Sequence, residues 1–281
     1  MAESWFTEFR NLKLRGDELN LSYFQLLSNN PVYISRVGGI ICPTLQDIAD
    51  IGGDIIYQYY LNALTMDAKQ LYATIGKSDV YEGMTDEEHL LINVYDILTG
   101  NDNTAELIKN ALDFFIKEDV TFLKEHHAFE VKGNVFVDEN GEMVEKYITI
   151  GVINRENFSD VVDVICQRNN IKNKETTDPS KAKSKKALAI LQKLKKGREN
   201  MAKTKKTDEN MELGNIISAV ANRSQSLNIT NIWNLTVYQL WDCFARLTNN
   251  AVYDIGCTGV SVWGDKDNKF DHTGWYKKMN R

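Results

Sequence analysis

His126-His127 and the group Asp265, Asp267, Asp271 and His272 are the side chains whose types could bind a metal or move a proton. Neighbouring residues of an extended strand point to opposite faces, so His126 and His127 do not converge on one ion, and a structural or surface role is expected of both. The acidic group lacks the spacing of an EF-hand loop and no Glu closes it, which leaves an acidic turn in solvent. Cys42, Cys166, Cys243 and Cys257 form no C-x-x-C pair and have no His at zinc-ligand spacing, so they read as ordinary thiols of a reducing compartment. Gly38-Gly39 and Gly52-Gly53 belong to no phosphate-binding fingerprint. Ser4, Ser22 and Ser35 sit in no nucleophile elbow. The expectation is a chain that is not an enzyme, with no catalytic residue, no cofactor and no metal.

Aromatic side chains offer a different chemistry, that of protein contact. Four of the five Trp lie between Asn228 and Trp275. Trp and Tyr are enriched where binding energy concentrates, and Trp233, Tyr238, Trp241, Phe244 and Trp275 are therefore the candidate partner contacts. The competing role for them is the core of a small module, and both roles combine if that core is completed on a partner.

Positioning these groups requires folded elements. Leu19 to Leu27 predicts a strand or short helix, as does Ser4 to Leu14. Val32–Ile34 and Ile40–Ile41 around Gly38-Gly39 predict a hairpin turning at the glycines, ended by Pro43. Thr44 is an N-cap, and the spacing of Ile48, Ile51, Ile55, Tyr59 and Ala63 predicts one helix over Leu45 to Leu64, kinked or closely packed at Gly52-Gly53. A short helix is expected over Asp67 to Ile75. Thr85 and Glu88 make a capping box for a helix reaching about Leu98. Asn103 or Thr104 caps the next, with Leu107, Ala111, Phe114 and Phe115 as its apolar stripe. Phe129–Val137 and Met143–Val152 alternate around Asp138–Gly141 as a second hairpin, and Asn157–Asn169 is a helix. Further helices are predicted over Met211–Ala221 and Thr236–Leu247, the latter capped by Thr236. From Asn249 the Gly-, Asp- and Asn-rich chain reads as a tail with Trp263, Phe270 and Trp275 as anchors, ordered only against the preceding helix or a partner.

The fold class is therefore α+β: a mainly helical N-terminal domain with one or two β-hairpins over residues 1–170, a basic flexible linker able to hold one helix over 171–213, and a small aromatic-rich helical module over 214–281. The 281 residues, 43% hydrophobic, suffice for one large or two modest cores. Net charge is −6 overall, yet Lys172 to Lys206 holds 13 Lys and Arg against 3 Asp and Glu, so positive charge is a property of that segment. With no aromatic residue between Ile171 and Leu213, the segment lacks the stacking groups of a single-strand binding tract and reads as a solvated connector. No apolar run approaches the roughly 18 residues of a membrane span, and Met1 to Arg15 has charges where a signal peptide needs an apolar stretch.

The opening LSYFQLL, the segment VGGIICPTLQDIADIG, the Lys-rich connector, IWNLTVYQLWDCFARL and the closing GWYKK resemble proteins encoded near the tape measure gene of tailed phages of Gram-positive bacteria, the tail assembly chaperones and other tail morphogenesis proteins. The resemblance implies a folded N-terminal part with an extension that recruits tail tube subunits to the tape measure, acting in the host cytoplasm. Expected partners are those phage structural proteins and a second copy of the chain, with neither nucleic acid nor membrane. Two other classes of function fit the same layout. One is a phage-encoded regulator or counter-defence protein acting through the Lys172–Lys206 segment, whose binding to nucleic acid would weaken steeply with salt; the other is a virion structural protein of the neck or tail.

Overall fold

The computed structural model describes residues 20–139, 142–171, 209–266 and 268–279. The expectations for Ser4–Leu14 and for a helix inside the basic linker fall outside these residues. The fold is α+β, and the chain divides into two compact units. One comprises Met1–Cys42 and Ile55–Thr207, the other Pro43–Asp54 and Asp208–Arg281.

The first unit opens with α1 (Tyr23–Leu27), entered through a capping box in which Ser22 and Gln25 exchange hydrogen bonds. Strands β1 (Val32–Ile34) and β2 (Gly38–Ile40) follow as an antiparallel pair. The glycines expected at the turn lie instead inside β2, and Arg36, with φ 62°, makes the turn. Their smallness serves packing: the Glu118 carboxylate accepts the Gly39 amide at 2.8 Å, and a Cβ on Gly38 would press against it.

Helix α2 (Leu45–Asp50), which belongs to the second unit, stops at Gly52-Gly53, and α3 (Asp54–Thr65) begins beyond. The single helix expected over Leu45–Leu64 is thus two. With φ of 110° and 98°, the glycines take up backbone that residues with a side chain avoid, and the amide of Gly53 closes α2 on the Ile48 carbonyl. The first unit continues with α4 (Ala68–Thr74), α5 (Ser78–Glu82), α6 (Asp86–Leu91), α7 (Val94–Thr99) and α8 (Asp102–Phe115). Thr85 and Glu88 form the predicted capping box, but the helix it opens breaks at Ile92, where Asn93 turns extended and its carboxamide oxygen accepts the Tyr95 amide at 2.9 Å. Asn101, not Asn103 or Thr104, caps α8.

Helix α8 carries the core of this unit, burying Ala105, Ile108, Ala111, Leu112 and Phe115. Its exit is stitched to the first hairpin by Ile41 N–H donating to Phe115 O and Lys117 N–H to Gly39 O, both at 2.9 Å. Strand β3 (Asp119–Leu123), which the sequence pattern did not announce, joins β4 (Ala128–Glu139) and β5 (Glu142–Ile153) in an antiparallel sheet of order β3-β4-β5. The predicted hairpin is its β4-β5 half. Helix α9 (Phe158–Arg168) adds Val161, Val164, Ile165 and Cys166 to the core. At its end the fully buried Arg168 donates to the carbonyls of Gln25 and Ser28, placing a cation where α1 leaves carbonyls unpaired.

The second unit contains α2, a 3-10 turn (Glu209–Met211), α10 (Leu213–Arg223), a 3-10 turn (Ile232–Asn234) and α11 (Val237–Trp263). α11 has 27 residues and runs through the region expected to be an irregular tail. Composition misleads there because Gly256 and Gly259, though each costs about 1 kcal/mol in a helix relative to Ala, interrupt neither the hydrogen-bond ladder nor the apolar spacing of Val252, Ile255 and Val262. The helix ends at Gly264, whose amide still reaches the Val260 carbonyl at 2.8 Å while its φ of 74° turns the following chain out of the helix.

Candidate protein-docking site

Two threonines organise the second unit. Thr44 and Thr236 pair in an antiparallel bridge, Leu45 N–H donates to Leu235 O at 2.9 Å, and Val237 N–H donates to Pro43 O at 3.1 Å. Each threonine also caps a helix, Thr44 with Asp47 for α2 and Thr236 with Gln239 for α11, so the two helix starts are fixed by one short stretch of extended backbone. Helix α10 packs on α11 through buried Ile216, Ile217 and Val220. A cleft of about 270 Å³ opens between them, lined by Ala219, Val220 and Arg223 from α10 and by Phe244, Leu247, Thr248 and Ala251 from α11.

Beyond Gly264 the chain reverses and runs back along α11. The Asp265 carboxylate accepts the amides of Lys269 and Phe270, closing the turn. Phe270 then packs at 5.4 Å on Tyr253 and fills the space above Gly256, where a Cβ would come within 2.8 Å of its ring. Further on, Asn249 Nδ2 donates to the Gly274 carbonyl at 2.8 Å and Arg246 Nη1 to the Lys277 carbonyl at 3.0 Å. The order of partners, 253, 249, 246 against 270, 274, 277, makes the tail antiparallel to the helix it covers.

The predicted contact residues divide between core and surface. Tyr238 is 2% exposed and belongs to the interior. Trp233 is partly buried, its indole N–H donating to the Ile229 carbonyl at 2.8 Å. Trp241 and Phe244, both partly buried, meet edge to face at 6.1 Å, and Phe244 reaches the cleft. Trp275 is 55% exposed and packs edge to face on the equally exposed Tyr276 at 4.9 Å. Sequence reasoning missed Tyr276 and the outward residues Val252, Ile255 and Val262 of α11, and Trp263, expected as an anchor of the tail, is 80% exposed at the end of that helix. The helical spacing of these α11 residues continues past Asn249 in the sequence.

The groups weighed for metal or acid-base chemistry are engaged otherwise. His126 ends a 3-10 turn (Lys124–His126) and His127 adopts φ 45°, with its Nδ1 3.0 Å from the Thr99 carbonyl. These are not strand residues, and the left-handed turn rather than alternation separates the two rings. The Asp271 carboxylate accepts the hydroxyl and amide of Thr273, which hold it below the usual carboxylate range. Asp267 lies outside the described residues. None of the four cysteines is in a disulfide. Burial, with Asp163 adding to it, pushes the Cys166 thiol up to about 12, and burial beside Asp242 raises that of Cys243, so both stay protonated and unreactive at neutral pH. Among the described residues no helix is long and apolar enough to cross a membrane.

The C-terminal part of the chain is similar to a phage-associated domain. Residues 203–280 match the YomV second domain, so α10, α11 and the returning tail all fall inside the matched region. No curated protein and no solved structure matches the chain.

Proposed function

We propose that this chain is a non-enzymatic phage tail assembly factor that acts in the host cytoplasm, holding the tape measure protein through one unit and tail tube subunits through the other. The observation that carries the reading is the exposed Trp275–Tyr276 pair, set beside exposed Lys277 and Lys278 on a tail pinned to α11 inside the phage-associated domain. Two large aromatic faces held in fixed geometry lose little entropy on binding, which is what an anchor for a partner protein needs. Two units on one chain also raise the local concentration of the second partner once the first is bound. The resemblance to proteins encoded near tape measure genes supplies the identity of those partners.

An assembly factor leaves when its work is done. Mass spectrometry of infected cells and of purified particles from the same culture tests this. The chain should be present in the cells and absent from the particles, whereas stoichiometric recovery from particles would make it a virion structural protein. A gel shift at low and moderate salt tests the regulator reading, in which nucleic acid binds at low salt and is released as salt rises.

A further inference from the structure

Strands β4 and β5 outrun their sheet. β3 pairs with β4 from Ala128 to Lys132, whereas β4 and β5 stay paired beyond it, from Gly133 opposite Ile148 to Glu139 opposite Glu142. Over that reach, roughly 20 Å at the rise of an extended strand, the sheet is a two-stranded ribbon among the described residues. Such a ribbon is marginal in water without a further strand.

Which backbone groups this leaves open follows from the register. The Val120 N–H turns away from β4 and donates to the Asp113 carboxylate at 2.9 Å, so Asp119 and Thr121 are the β3 residues whose N–H and C=O face β4, opposite Lys132 and Glu130. The register shift at Val131/Lys132 leaves Ile150 of β5 as the extra residue, and the alternation along β4 is unbroken. Asn134, Phe136 and Asp138 therefore carry their N–H and C=O on the edge beyond the end of β3. On the outer edge of β5 the corresponding residues are Met143, Glu145 and Tyr147. The two edges differ in their defences. From Gly133 to Val137 β4 has neither a charged residue nor Pro, while β5 has Glu142, Glu145 and Lys146 along the same stretch. Charge on a strand guards it against edge pairing, so β5 is guarded and β4 is bare. β5 is also engaged at its base, where Val152 N–H donates to the Arg36 carbonyl at 2.9 Å.

We infer that the bare edge of β4 pairs antiparallel with the same edge of a second copy, about a two-fold axis at Phe136, giving a continuous sheet across two chains. What is free decides the register. With Phe136 opposite itself, Asn134 meets Asp138 of the other copy, all three open residues fall in hydrogen-bonded pairs, and the incoming strand fills the edge from where β3 stops. An axis at Val135 brings Asp138 against Lys132, whose backbone already bonds Asp119. At Val137 it leaves Asn134 past the end of the other β4, and at Asp138 it sets like charge opposite like. The outer edge of β5, centred in the same way, would set Glu145 against Glu145.

Sedimentation of the full chain should give twice the chain mass at micromolar concentration. Phe136→Pro deletes the central N–H of the bare edge while sparing the β4-β5 ladder, and should raise the dimer dissociation constant at least tenfold. Glu145→Pro makes the same change on the outer edge of β5 and should leave the dimer as it was. With Cys243→Ala and Cys257→Ala in place, Val135→Cys chains mixed with Val137→Cys chains should form a disulfide-linked heterodimer, because the two positions lie opposite at the closer, non-hydrogen-bonded spacing. Val135→Cys chains alone should not link. A monomer at every concentration, a dimer that withstands Phe136→Pro, equal loss with Glu145→Pro, or Val135→Cys chains linking to each other would overturn the pairing.

Discussion

Arg246 donates from Nη1 to the carbonyl of Lys277 at 3.0 Å, across 31 residues of chain, and so ties the returning tail to the middle of α11. With Asn249 and Gly256 it makes the tail a folded part of the domain rather than an appendage, and it fixes where Trp275 and Tyr276 face solvent.

Gly256→Leu should release that tail. The added side chain meets Phe270, whose ring lies 2.8 Å from the place of a Cβ, and overpacking of this kind costs about 1–3 kcal/mol. Limited proteolysis should cut faster between Asp265 and Lys278, with the far-ultraviolet dichroism of α11 retained. Cleavage at the wild-type rate would mean that Phe270 does not hold the tail down.

In the first unit, Gly151→Ala should be the most damaging single-methyl change. The new Cβ would overlap the Arg36 carbonyl and lie 2.7 Å from the amide of Val37, both backbone atoms of the turn that carries β1 into β2, and that turn is already bonded to β5 through Val152 N–H. Backbone cannot swing aside as a side-chain end can, so a loss of about 1–3 kcal/mol is expected, read as a melting temperature lower by several degrees.

How much of this was readable beforehand varies with the physics involved. The capping box at Thr85, the cap at Thr236, the β4-β5 hairpin and the α9 helix are local signals, and the structure has them where the residues put them. The break at Gly52-Gly53 was visible as a cost but not as a stop, because apolar spacing continues across it and only the positive φ of both glycines separates α2 from α3. Strand β3 left no pattern, since its residues are held by pairing with β4 and by the Asp113 carboxylate accepting the Val120 amide, partners set by the fold. Of the aromatic candidates, Trp275 faces solvent and Tyr238 does not. A helix start tells which residues lie on one face but not which face is covered, and the Gly, Asn and Asp after Asn249 disguise the second half of α11 as a tail.

Alkaline pH should weaken the first unit before it affects secondary structure elsewhere. Burial holds Tyr57 well above its ordinary range and pushes Tyr95 and Cys166 up to about 12. All three favour their neutral forms when folded, while the unfolded chain ionises Cys near 8.5 and Tyr near 10. Their contribution is complete below about pH 8.5 and is lost as pH rises toward 12. The urea midpoint should therefore fall steadily from pH 8 to pH 11, and less steeply in Cys166→Ala. A flat midpoint over that range would contradict the burial of these groups.

The assembly reading meets its most direct test in co-purification of the full chain with the tail tube protein of the same phage, wild type against the Trp275→Ala/Tyr276→Ala double variant. Hot-spot aromatics are each worth about 2 kcal/mol or more, so recovery of the tail tube protein should fall at least tenfold while the variant remains folded. Equal recovery with both chains, or no tail tube protein with either, would contradict it.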